Sequence, residues 1–527
     1  MDFEKFPDDC AKGTTALGQV DRHTRTLYKM LKVFSSPRGV PVPTGSVVAV
    51  PTLKKPLPKK NLFYGSKIPS WDEDFPQGVG YASTIIFELL RVESFFPLVD
   101  YATEWSSVEE ARSILASSSR EDLEPLELLK WEEMDSDAAI MRWAFSGIAA
   151  HVTCSVKSAD AVKGQAIAFV NDWSWMHEFQ VRPGFERYGA AAYFGDDGRL
   201  LKIWWSHGQK NLTKGDAGWE HAKWAFKCTV IAGTTLKDHL VGLHFMASNF
   251  LAMATFEQLN ASHPIRRMLR PHTYGAVTIN AGALKTLAVK NGILHRASAF
   301  TWESVEAAFH ASYDLNRWMG DINQRFAKQG MLDTIKENPD LYPFGQDAIE
   351  FSAVVHKFVV SYVDVYYAND AAVLADRELV RFWDALHLVE GSQLPPLSGK
   401  QVLAQVLADF IAYVTAFHNH AGNVADYLID PGFASPKIRP NRNIADIQAT
   451  FQGLNIGLMT ALPAPKLINN FTHLLLPDEH LSQTATIFNQ FQRDLRDLAD
   501  KIDARNEHRK MPCNSINPKM MVSSISI

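Results

Sequence analysis

The 527-residue sequence is 46% hydrophobic and 21% charged, with 53 Lys and Arg against 58 Asp and Glu for a net charge of −5. These values suit a globular chain with a sizeable core and exclude a broadly basic nucleic-acid-binding surface. Cys10, Cys154, Cys228 and Cys513 are scattered without CxxC spacing, which excludes a zinc finger and a disulfide framework.

The N-terminus, Met1-Asp2-Phe3-Glu4, is acidic and lacks an apolar core segment, so no secretory signal is expected and a cytoplasmic location follows. Residues 1–60 are rich in Pro, Lys and Gly and read as an extended arm, with one domain expected over 61–527. Charged and apolar residues mix at helical spacing from Asp100 to Lys130. Ala190 to Trp205 reads as two strands around Asp196-Asp197-Gly198, a hairpin. From Trp219 to Leu259 the chain is apolar nearly all round, the pattern of a buried helix. Phe351 to Ala375, Gln401 to Tyr427 and Thr484 to Asn506 give three further long helical patterns. No run of 18 uncharged apolar residues occurs, so no transmembrane segment is expected. The fold class is mostly α, a large single helical domain with a minor β-hairpin part.

Two apolar helices carry polar residues that need a reason, because an unpaired buried polar group costs about 1–3 kcal/mol. His239 and His244 are five residues apart, which in a regular α-helix leaves them roughly 140° apart around the axis. A π-type widening would bring both to one face. A second polar knot is His418-Asn419-His420-Ala421-Gly422-Asn423, where Asn419 and Asn423 share a face at a spacing of four. Two such helices, completed by a carboxylate, could form a mononuclear site of the two-histidine, one-carboxylate kind. On these residues alone an interhelix hydrogen-bond network is the simpler reading.

The surrounding text resembles the lipoxygenase family. Trp219-Glu220-His221-Ala222-Lys223 is similar to the family's lead into its metal-binding helix, and His239 and His244 resemble its first ligand pair. His263-Pro264 through Leu269-Arg270-Pro271-His272, then Ile279-Asn280-Ala281-Gly282-Ala283, resemble two further segments. So do Tyr342-Pro343-Phe344-Gly345-Gln346-Asp347, Tyr362-Val363-Asp364-Val365-Tyr366-Tyr367, Asp376-Arg377-Glu378-Leu379 with Trp383, and the terminal Ser523-Ser524-Ile525-Ser526-Ile527. Together these landmarks span roughly residues 135–527. Many members also carry an N-terminal lipid-binding β-barrel; here the family body begins near residue 60, so a compact, fungal-like form is expected.

The resemblance implies one non-haem Fe or Mn ion, bound by His239, His244, Asn419, Asn423 and the free carboxylate of Ile527. The family's third histidine lies four residues before its asparagine, in the pattern His-x3-Asn. Aligned without a gap, Tyr413, Asn423 and Tyr427 fall in register and Asn419 takes that histidine position. A local bulge would instead swing His418 inward, and His420 flanks the position on the other side. An amide oxygen in place of an imidazole would weaken the site and raise the metal's potential. Ala283, Leu287 and Leu294 match residues near the acyl chain, where plain helix core is an equal reading. No catalytic residue is implied beyond the metal site. The implied reaction removes hydrogen from the methylene between two cis double bonds of a polyunsaturated fatty acid and adds O2, giving a hydroperoxide. Oxidative or rearrangement chemistry on another polyene, and a silent apolar-ligand-binding homologue, stand as alternatives. No nucleic-acid partner is implied, and a monomer is expected.

Overall fold

The structure is a computed structural model, and the residues it describes are 95, 98–100, 105–117, 134–156, 160–312, 321–387, 394–428, 430–460 and 464–526. The expected arm over 1–60, the beginning of the domain expected from 61, and Ile527 lie outside them.

The β part is a small antiparallel unit. Strands β1 (Cys154–Ser155), β4 (Phe169–Asp172), β5 (Ala190–Phe194), β6 (Leu200–Trp205) and β7 (Lys210–Leu212) form one sheet in that order. Strands β2 (Ala161–Val162) and β3 (Gln165–Ala166) pair separately. The hairpin expected over 190–205 is β5–β6, with Ala191 opposite Trp204 and Ala192 opposite Ile203. Its turn is built by Asp197, whose Oδ1 accepts the Arg199 N–H at 2.9 Å, and by Gly198 at φ +77. That left-handed backbone favours glycine. The buried alanines of β5 let helix α1 (Trp219–Gly233) lie close against the sheet.

Helix α1 starts where Trp219 Nε1 donates to Asp137 Oδ1 at 2.9 Å and the buried Lys223 ammonium donates to the Asp135 carbonyl at 2.6 Å. It runs without a break into a π-helical segment, Thr234–Ser248, and then into Asn249–Gln258. Most of this rod is buried, as a helix apolar on all sides should be. The π widening required by the five-residue spacing of His239 and His244 is thus present.

Helix α2 (Ala276–Thr286) crosses this rod. Helix α3 (Pro343–Tyr366) begins with proline at its first turn, where the missing N–H has no intrahelical partner to lose. It packs against α4 (Lys400–Ala412) and α6 (Leu481–Asn506), with Phe358 stacked on Phe491 at 4.2 Å between ring centres. Helix α4 passes through a second π segment, Tyr413–Phe417, into the short α5 (His418–Gly422). By length and composition the run Lys400–Leu428 is apolar enough to cross a membrane, yet 83% of its most apolar window is buried inside the fold.

The chain after α6 folds back into the body. The Leu467 N–H donates to the Met521 carbonyl at 3.0 Å, and the Ser523 N–H to the Pro465 carbonyl at 2.8 Å. His272 donates through Nδ1 to the Ser523 carbonyl at 2.9 Å, and the Ser524 hydroxyl to the Tyr274 carbonyl at 2.8 Å. Gly275, at φ +65, admits Ser526 so closely that a Cβ there would stand 2.8 Å from the serine Cβ. The tail therefore arrives beside the first turn of α2.

Candidate metal centre

The first π segment and α5 face each other at mid-length, and three imidazoles meet there. His239 Nε2 lies 3.0 Å from His418 Nε2 and 3.3 Å from His244 Nε2; His418 Nε2 lies 3.2 Å from His244 Nε2. Protons cannot satisfy such a closed triangle. A proton on one nitrogen points at a single neighbour, and the remaining lone pairs still face one another at contact distance. A cation at the centre resolves that repulsion. Adjacent corners of an octahedron with metal–nitrogen bonds of about 2.0–2.2 Å lie about 2.8–3.1 Å apart, close to these separations. His239, His244 and His418 thus form a cluster that could hold a metal ion.

The surroundings keep the ligand nitrogens free. Burial pushes the pKa of all three imidazoles down, to about 4 for His244 and well below the usual range for His239 and His418, where neighbouring imidazoles add to the effect. The rings are therefore neutral near pH 7. Asn280 on α2 fixes one of them. Its Oδ1 lies 3.0 Å from His244 Nδ1, and its Nδ2 donates to the His244 carbonyl at 3.0 Å. An amide oxygen only accepts, so the His244 proton is on Nδ1 and its Nε2 lone pair points into the triangle. Asn280→Leu is expected to lower metal affinity roughly 10- to 100-fold, measured by competition with a chelator. Unchanged affinity would mean that Asn280 does not orient the ring.

Asn419 is not at the centre. Its Nδ2 donates to the Ser515 carbonyl at 2.9 Å, and His418 takes the expected place. The reason lies in the second π segment. A π turn holds one residue more than an α turn, so the face that follows is shifted by one position, about 100°. Asn423, expected as a ligand, closes α5 with its N–H donating to the Asn419 carbonyl at 3.2 Å. It stands five residues past His418, roughly 140° away around the axis. Among the described residues no hydrogen bond joins its side chain to the three imidazoles. The residue one α turn beyond His418 is Gly422.

Ile527 lies outside the described residues, although the tail reaches Ser526 beside α2. Ala283 is fully buried on α2, one turn beyond Asn280. Leu287, half-buried, ends that helix, and its carbonyl accepts the N–H of the buried Leu294 at 3.3 Å. Ala283 thus lies on the helix that holds His244 in place, Leu287 at its end, and Leu294 in the next short helix, Ile293–Ala297.

A second polar chain escaped the sequence reading. His151 Nε2 lies 2.9 Å from Asp238 Oδ2, and His151 Nδ1 lies 3.0 Å from His420 Nε2. His420 Nδ1 in turn lies 3.0 Å from the Ser515 hydroxyl, and the Phe344 ring covers His420 at 4.4 Å between centres. Asp238 precedes His239, and His420 is two residues past His418. This buried chain therefore ties the two ligand-bearing segments together. The spacing around His418 and His420 hinted at polar partners, but no local pattern points to His151.

Comparison with known proteins agrees with this fold. Residues 204–443 match the Lipoxygenase family. The "Polyunsaturated fatty acid lipoxygenase ALOX15B" of Rattus norvegicus is 24% identical over 319 residues, covering 55% of this chain and 45% of that protein. The "Linoleate 9/13-lipoxygenase" of Pseudomonas aeruginosa is 23% identical over 338 residues, covering 59% of this chain and 48% of that protein. The chain thus spans less than half the length of these relatives. The solved structure of a calcium-dependent 11R-lipoxygenase superposes with a TM-score of 0.71 at 15% identity, over 96% of this chain and 81% of the other. Residues 204–443 thus resemble the Lipoxygenase family, and the described residues share the fold of lipoxygenase structures.

Proposed function

We propose that the chain is a non-haem iron dioxygenase that adds O2 to polyunsaturated fatty acids to give hydroperoxides. The observation that carries this reading is the triangle of neutral Nε2 atoms of His239, His244 and His418 in the interior of a lipoxygenase fold. Manganese is the alternative ion that the same nitrogen and oxygen donors would accept. One relative is named for linoleate and another for polyunsaturated fatty acids, which supports the substrate class.

The bound ion would supply one-electron chemistry, and the chain's own residues do the rest. Asn280 holds His244 in the tautomer that can ligate, and burial keeps the other two imidazoles unprotonated. The carboxylate of Ile527 is proposed as the anionic ligand. Ala283, Leu287 and Leu294 would hold the acyl chain and exclude water, so that the pentadienyl radical meets O2 and not solvent. The overall change is RH + O2 to ROOH, with no other reactant.

Purified protein loaded with iron(II) is expected to consume O2 and linoleate in equal amounts and to produce the ultraviolet absorbance of a conjugated diene. A full iron complement with neither O2 uptake nor diene would replace dioxygenation by rearrangement chemistry. Failure to bind iron or manganese would leave an apolar-ligand-binding homologue.

A further inference from the structure

Gly422 is the feature of the centre that the proposed function leaves unused. It follows His418 by four residues on α5, so its Cα presents the same helix face. A Cβ built on it would have His239 Nε2 as its nearest neighbour, at 3.2 Å, with the ring carbons Cε1 and Cδ2 at 3.7 and 3.8 Å. Any side chain at this position would therefore project at the metal-facing edge of His239. Glycine places none there. Exposure points the same way: His244 and His418 are buried, whereas His239 and Gly422 are both partly exposed.

Resting on the metal-binding reading above, we propose that the coordination position facing Gly422 is held by no side chain and is open to a small external oxygen or nitrogen donor, such as water or an anion. Asn423 does not fill the gap, because at five residues from His418 it leaves the helix on another side. The nearest atom along the missing side chain's path is a ligating nitrogen, so a donor seated there lies against the ion and not in a remote recess. His418 Nδ1, buried and without a hydrogen-bond partner among the described residues, leaves that ring anchored mainly by its helix and by the ion. The ion's affinity then depends on what occupies the open position.

Cobalt(II)-loaded full-length protein tests this without reference to turnover, because the visible spectrum of cobalt(II) responds to its ligands. Metal content is measured first, then azide is titrated. The native protein is expected to show a saturable azide-dependent spectral change. Gly422→Asn, which offers an amide oxygen from the same face, is expected to weaken azide binding at least tenfold at equal cobalt content. Gly422→Ala, a smaller step that only fills space, should weaken it less and serves if the Asn variant does not fold. No spectral change in the native protein, or equal azide affinity in native and variant proteins, overturns the proposal while metal binding stands. Absence of cobalt from the native protein overturns the metal reading and this proposal together.

Discussion

His418→Ala is expected to release the bound metal and abolish O2 uptake, whereas Asn419→Ala keeps both. The two residues are neighbours, so the pair tests the centre's geometry with little difference in helix propensity or position. His418 Nε2 closes the triangle at 3.0 and 3.2 Å from the other two nitrogens. Removing it leaves two imidazoles, and metal affinity should fall by roughly 100-fold or more, beyond the usual effect of losing a supporting hydrogen bond. Asn419 donates to the Ser515 carbonyl, and its loss should cost about 1 kcal/mol of stability with the metal retained. Metal analysis after gel filtration reads the first effect, and urea unfolding reads the second. A metal-free Asn419 variant beside a metal-loaded His418 variant would reverse the assignment.

This single-residue question marks where the sequence stopped being legible. The buried rod over Trp219–Gln258 and the β5–β6 hairpin follow from periodicity and turn chemistry, which are local. The first π segment was also within reach. Two histidines five apart on an apolar helix share a face only if the helix widens. The second π segment left no such trace. His418, Asn419 and His420 each offer a donor, so a regular helix with Asn419 inward is as self-consistent as a widened one with His418 inward. What decides between them is tertiary. Ser515, far along the chain, takes the Asn419 amide, and His151 takes His420, which leaves His418 for the centre. Gly422 was unreadable for the same reason. Its significance depends on the register, and in the Asn419 register it is merely a neighbour of Asn423. The weakened ligand field expected from an amide in place of an imidazole disappears with that register.

The metal-free protein is expected to lose stability steeply as the pH falls from about 6.5 toward 4, more steeply than its carboxylates alone would require. Burial is the leading cause that lowers the pKa of His239, His244, His272, His295, His418 and His420, with His244 and His272 brought to about 4. The sign follows from proton counting. In this window the unfolded chain protonates such histidines near 6.5 and the folded protein does not, so the unfolded state binds more protons and stability rises with pH. The contribution is present above about 6.5 and is lost as the pH drops toward the folded value. Each fully titrating group removes about 1.4 kcal/mol per pH unit. His244 and His272 together would remove about 3 kcal/mol per unit, a large share of the 5–15 kcal/mol typical of a folded protein. Urea unfolding of chelator-treated protein at pH 7, 6 and 5 measures the slope, and a midpoint unchanged from pH 7 to 5 would refute it. His272→Asn isolates one term. Asparagine can still offer an N–H to the Ser523 carbonyl but cannot titrate, so the slope should fall by about 1.4 kcal/mol per unit even if the variant is less stable at pH 7. His272 lies outside the metal triangle, so this change separates the general cost of burying neutral imidazoles from any residual metal at the centre.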